Sequence, residues 1–174
     1  MATSASKFIG IKGCAVYASI NGSFDHPPQA DNVTISVPEI AFGTTDVNFM
    51  GTISIPDMTS LDNITLSINI PIDNPDARVL TAVGLQQWKI TYCVSNMDKQ
   101  GLETLTPCCI YAKGFVTGVP NTEVSKGGDG LADVSMNLMS FTKIVGNETL
   151  YDIDRSSNKL KVNGVNYNNV DTLF

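Results

Sequence analysis

Three features of this 174-residue sequence predict a mainly β fold, a β-sandwich or partial barrel with one short flanking helix. Apolar and polar residues alternate with period two in several short segments, which is the mark of half-buried strands. Turn dipeptides such as Asn21-Gly22 and Gly146-Asn147 separate these segments. A helix start signal stands out at one place, Asn74-Pro75-Asp76. Runs of antiparallel strands with a single helix imply two packed layers or a curled sheet around one core.

Cys14 to Ile20 is a short apolar run that ends at the Asn21-Gly22 turn. Asn32 to Val37 sets Val33, Ile35 and Val37 against Thr34 and Ser36, and Thr52 to Pro56 repeats the pattern with Ile53 and Ile55. Ile64, Leu66, Ile68 and Ile70 form an apolar face opposite Thr65, Ser67 and Asn69. At the helix signal Asn74 can cap, Pro75 suits the first helical position and Asp76 favours the positive end of the dipole. Val79, Leu80 and Val83 then give a helical apolar face that Gly84 can close.

Gln86 to Val94 places Trp88, Ile90 and Tyr92 on one face and Lys89, Thr91 and Cys93 on the other. Ser95 to Thr104 is polar and reads as a hairpin connection to a strand from Pro107 to Val119. Asn121 to Gly130, with Gly127-Gly128-Asp129-Gly130, reads as a mobile loop. Ala132 to Val145 and Glu148 to Asp154 flank the Gly146-Asn147 turn, and Leu160 to Phe174 is a polar, Asn-rich C-terminal arm. The chain shows no internal repeat and no linker, so residues 1–174 are expected to form a single domain with an N-terminal arm over about residues 1–12.

With 43% hydrophobic residues the chain can bury roughly 70% of its unfolded surface, enough for a core without disulfide or metal staples. No run approaches the ~20 apolar residues of a membrane span. The first ten residues lack the apolar stretch of a signal peptide, which favours an intracellular start and reduced thiols at Cys14, Cys93, Cys108 and Cys109. The net charge of −6 disfavours a conventional nucleic-acid binder and an anionic membrane surface, both of which are held by Lys and Arg. That charge has one source. Gly13 to Ala77 contains eight acids and no Lys or Arg, whereas Arg78 to Phe174 balances nine acids with nine bases.

A search for catalytic chemistry returns little, and the chain is expected not to be an enzyme. His26 is the sole histidine and precedes Pro27-Pro28, a setting that suits a turn or contact residue better than a general base. G-x-S-x-G, H-E-x-x-H and phosphate-loop patterns are missing. Cys108-Cys109 lacks the spacing of a zinc pair, and adjacent strand residues point to opposite faces, so one thiol is expected in the core and the other outside. The Gly127 to Asp133 segment occurs once and out of register with calcium-binding repeats, which need stacked copies. Asp152 and Asp154 share a strand face without a sugar-stacking aromatic cluster nearby. No metal or cofactor is implied. The uncharged Thr, Ser and Asn faces of the early strands lack the lysines that usually guard free sheet edges, which points to edges occupied in an assembly.

The order of motifs completes the reading. Val16-Tyr17-Ala18-Ser19-Ile20-Asn21-Gly22, Thr34 to Ile40 and Asn48-Phe49-Met50-Gly51 resemble the opening of the major tail tube proteins of contractile-tailed bacteriophages. Ala112-Lys113-Gly114, Phe141 to Ile144, Leu150 to Asp154 and Lys161 to Val165 continue the resemblance, and the helix signal falls where that family has its single helix. The low charge content, Tyr92-Cys93, Cys108-Cys109 and the Asn-rich tail depart from its pattern.

The resemblance implies hexameric rings stacked into a tube inside a contractile sheath, with one sheet of each subunit joining its neighbours in a continuous barrel. It further implies a DNA conduit in the virion tail, assembled in the bacterial cytoplasm. Sheath, baseplate, tail terminator and a lumenal tape measure protein would be its partners, and DNA would pass without specific binding. The ring-bridging loop of that family matches about residues 42–51, here Phe42, Asn48, Phe49 and Met50. Glu39, Asp46, Asp57 and Asp62 are the candidate lumen or ring-contact charges. The alternative is a β-sandwich binding module, such as a carbohydrate-binding or baseplate adhesin domain, which would expose an aromatic platform.

Overall fold

A computed structural model of the protein describes residues 7–20, 22–121 and 124–166, with residues 56–60 as backbone only. The first six strands are β1 (Lys7–Ala18), β2 (Ala30–Asp31), β3 (Thr34–Ser36), β4 (Phe42–Asn48), β5 (Thr52–Leu61) and β6 (Thr65–Pro71). Helix α1 (Pro75–Arg78) follows and runs on as a 3-10 turn over Val79–Thr81. The remaining strands are β7 (Gly84–Met97), β8 (Glu103–Val116), β9 (Leu131–Val145), β10 (Glu148–Asp154), β11 (Lys159–Val162) and β12 (Val165–Asn166). The mainly β expectation with a single short helix is met.

One antiparallel sheet runs β2-β1-β7-β8-β9 and continues into β10-β11-β12, while β6 and then β3 join the other half of β9. The sheet curls. Beginning at β2 and passing through β1, β7, β8, β9 and β6, it returns to β3, which lies only three residues along the chain from β2. No ladder joins β2 to β3, so the barrel stays open along that seam. Asn32 causes the break. Its φ of 52° takes the chain out of the extended region between β2 and β3, and the strand expected over Asn32 to Val37 is shortened to Thr34–Ser36.

The inner face holds Val16, Leu66, Ile68, Ile70, Trp88, Ile90, Ile110, Val134, Met136 and Phe141, all shut off from solvent. Ile64, Leu66, Ile68 and Ile70 line up inward as the period-two reading expects, with Thr65, Ser67 and Asn69 on the opposite side. Asn74 Oδ1 accepts from the Asp76 N–H at 3.0 Å, which is the cap that the sequence announces. The helix is shorter than its apolar pattern suggests. After one turn it tightens into the 3-10 segment, so Ala77 and Leu80 face the core while Val79 and Val83 face solvent.

β9 changes partners along its length. Residues 131–137 pair with β6 and residues 140–145 with β10, both on the edge opposite β8. The switch falls at Met139, an extra residue on β9 where the β8 register slips between Lys113 and Gly114. The Met139 carbonyl accepts from Arg155 N–H at 2.9 Å, and Leu138 N–H donates to Ile64 O at 2.8 Å, so the corner's backbone groups are paired.

Both ends of the described chain lie in the sheet, and residues 1–6 of the expected N-terminal arm lie outside the described residues. Residues 7–12, within the expected N-terminal arm, pair with β7, and residues 160–166, within the expected C-terminal arm, are largely in β11 and β12. The final eight positions of that arm, 167–174, lie outside the described residues. At the far end of β7–β8, Glu103 accepts from the Lys12 ammonium and the Ser95 hydroxyl, which hold its carboxyl below the usual carboxylate range. A depressed carboxylate contributes stability at neutral pH and loses it as pH falls through its folded pKa. Glu103→Gln is therefore expected to weaken the acid dependence of unfolding between about pH 7 and pH 3. Denaturant titrations at the two pH values check this, and an unchanged dependence would remove Glu103 from the acid response.

Candidate functional site

β4 and β5 form a two-stranded hairpin that, among the described residues, pairs with no other strand. Its base is anchored, because Phe42 and Leu61 pack on the core and Asp62 N–H donates to Ala41 O at 2.9 Å. Its far end is free of such packing. Phe49 and Met50 cap the turn, with Met50 fully exposed and held at a φ of 48°. Registers Val47 with Ile53 and Thr45 with Ile55 define one apolar face, and Asp46 with Ser54 lies on the other. The Ser54 hydroxyl donates to Asp46 at 2.6 Å.

The candidate residues thus separate by location. Asn48, Phe49 and Met50 are at the hairpin turn, whereas Phe42 is at its root. Glu39 precedes β4 and is exposed, Asp46 is exposed midway along β4, and Asp57 lies on β5. Asp62 is exposed just beyond β5, and its carbonyl accepts from Arg155. Glu39 and Asp62 thus flank the hairpin root, whereas Asp46 lies midway along β4. Among the described residues no set of His, Cys, Asp or Glu side chains could hold a metal ion.

A second surface runs across β3, β6 and β9. Three side-chain rungs cross from β6 to β9: the Thr65 hydroxyl donates to Asn137 at 3.2 Å, the Ser67 and Ser135 hydroxyls lie 2.9 Å apart, and the Asn69 amide donates to Asp133 at 2.8 Å. Thr34 and Ser36 of β3 extend the Asn69 and Ser67 rows. The result is an outward wall of small hydroxyl and amide groups with a single charge, Asp133. Sequence reasoning picked out the β6 half of this wall. The β9 half, Asp133, Ser135 and Asn137, is the same alternation in a strand whose partner only the topology reveals.

The remaining chemical candidates have structural duties. His26 Nε2 is 2.8 Å from Ala18 O and Nδ1 is 2.9 Å from Pro27 O, so the ring ties its loop to β1. Cys108 is buried and Cys109 half-buried on the opposite face, as adjacent strand positions require, and all four thiols are free. Cys14, Tyr92 and Cys108 form one row across β1, β7 and β8. Burial, with the neighbouring Cys108, pushes the Tyr92 phenol up to about 12. Burial also raises the Cys14 thiol, which is the opposite of what activates a nucleophile.

Among the described residues no helix is long and apolar enough to cross a membrane. The described residues thus present two distinctive surfaces, an exposed hairpin with an apolar tip and a polar wall whose one charge is Asp133. The family model for phage tail tube protein FII matches residues 19–170. The chain belongs to this family. A comparison with curated proteins returns no match. A phage tail tube protein is a structural subunit of the virion tail that self-assembles, so its surfaces carry the function and no active site is needed. Family membership replaces the binding-module alternative.

Proposed function

We propose that this tail tube protein builds the inner tube of a contractile phage tail as stacked hexameric rings, through which DNA passes during ejection. The observation that carries the conduit reading is the wall of Ser, Thr and Asn side chains on β3, β6 and β9, in a chain whose whole charge deficit lies between Gly13 and Ala77. Hydroxyls and amides give a phosphate backbone no cation to bind, and nearby carboxylates repel it. A ring of six such chains would carry about −36, with the repulsion confined to roughly 8 Å from the wall at physiological salt. Under this reading Glu39, Asp46, Asp57 and Asp62 supply lumen or ring-contact charge, and the β4–β5 turn around Asn48, Phe49 and Met50 bridges adjacent rings. Assembly would take place in the bacterial cytoplasm with sheath, baseplate, tail terminator and tape measure proteins.

Negative-stain microscopy of the purified protein tests the tube reading, with long hollow cylinders as the expected result and only monomers or small oligomers as the contrary one. The charge assignment has its own check. Asp46→Lys, Asp57→Lys and Asp62→Lys together should leave tubes that form and deliver DNA poorly, and normal ejection from those tubes would remove these acids from the lumen.

A further inference from the structure

The geometry points to a defined acceptor for the free hairpin: the cavity at the open β2–β3 seam receives the Phe49–Met50 tip of a second copy of this chain. This rests on the tube reading and deepens it by naming both halves of one contact. β7 and β8 each run for 14 residues, while β6 has seven and β3 only three, so the layer opposite them leaves part of their inner face uncovered. A cavity of about 450 Å³ opens there. Ile11, Cys14, Val33, Ile35, Val37 and Tyr92 are among its lining residues, and Ile11 and Val37 at its mouth are 64% and 42% exposed. That volume lies in the range of sites that enclose apolar groups.

The occupant follows from three observations. Phe49, Met50, Ile53 and Ile55 leave an apolar tip and face in water on a two-stranded hairpin, a unit that is only marginally stable without a partner. Among the described residues Lys143 is the sole charged one lining the cavity, whereas residues 42–61 contain Asp46 and Asp57 and no base, so the charges are complementary. The chain's own tip is out of reach. Val37 lies just before β4, at the hairpin root, and seven residues of β4 carry the tip about 24 Å away. A tip on one subunit and its acceptor at the root on another make a heterologous contact, the kind that propagates into rings or filaments.

Cys14 in the cavity supplies the test. Met50→Cys tubes treated with a mild thiol oxidant should give disulfide-linked multimers on a non-reducing gel, and the added Cys14→Ser change should reduce them at least tenfold. Val37→Glu, at a position already half in water, should keep wild-type circular dichroism while raising the critical concentration for assembly at least tenfold. The apolar dye 8-anilinonaphthalene-1-sulfonate should bind the unassembled chain and be excluded from tubes. Tubes that form without a Cys14-dependent cross-link, or that still take up the dye at the cavity, would overturn the acceptor and leave the tube reading standing. The second outcome would mark the cavity as a small-amphiphile site instead. A wild-type chain that stays monomeric at every concentration would overturn both.

Discussion

Gly114→Ala lowers the thermal midpoint by about 6–12 °C, the shift expected for a loss of about 3 kcal/mol in a protein of this size. A Cβ built on Gly114 falls 2.1 Å from Asn137 O and 2.9 Å from Leu138 Cα. These are backbone atoms of β9, so no side chain can swing aside to relieve the contact. The close approach sits beside the bulge at Met139, where β9 leaves β6 and takes up β10. Prying β8 from β9 there disturbs the pairing of both halves of the sheet at once, which puts the cost at or above the upper end of ordinary overpacking. Gly118→Ala is the control, since nothing lies within 4 Å of its added Cβ. Thermal unfolding followed by circular dichroism separates the two, and equal midpoints for the variants would refute the role of the bulge.

Trp88→Ala removes the largest buried side chain and costs about 3–5 kcal/mol. Trp88 also holds more than volume. Its indole N–H donates to Gln86 Oε1 at 2.7 Å, and the Gln86 amide in turn donates to the carbonyls of Leu80 and Ala82 at the end of the 3-10 turn. Truncation therefore opens a cavity in the core and frees the side chain that ties the helical segment to β7. Trp88→Phe keeps most of the apolar volume and loses the indole donor, so it should cost less than half as much. Denaturant midpoints measured at constant m-value check the ranking. A Trp88→Phe variant as unstable as Trp88→Ala would mean that the Gln86 link, and not packing, dominates at this site.

Several strands were legible because their burial is one-sided. In β6 and β8, inward and outward residues alternate with hardly an exception, so the period of the sequence is the period of the structure. The helix cap was legible because Asn74 acts on a backbone N–H two residues away, with no distant partner. β2 carries no signal of its own because it is two residues long, and the strand expected over Asn32 to Val37 starts at Thr34 because Asn32 adopts a positive φ that asparagine tolerates and that leaves no mark in the hydrophobic pattern. Residues 7–12 carry no alternation to detect because both faces of that part of β1 are largely wet, and β11 and β12 are only four and two residues long, too short for their period to stand out.

The assembly surfaces divide in the same way. The Thr, Ser and Asn face of β6 and the acidic bias of residues 13–77 are local in sequence and were visible there. The match of that face with Asp133, Ser135 and Asn137 joins positions 64–72 residues apart, and no local pattern specifies which strand lies beside which. Phe49 and Met50 were expected in a ring-bridging loop only through the resemblance, since nothing in their local pattern sets them apart from core residues. Their exposure follows from the hairpin joining no other strand, a property of topology.

By itself the sequence determined the class of fold, the single capped helix, the segregation of acidic charge and the resemblance to tail tube proteins. These rest on residue type, near-neighbour spacing and motif order, which tertiary contacts do not alter. The tertiary structure alone decided that the sheet stays open at the β2–β3 seam, that β9 serves two partners, and that an apolar hairpin and an uncovered cavity are left facing water. Those outcomes depend on the relative lengths and registers of strands far apart in the chain. Burial of the shared core fixes them only when all the strands are present together.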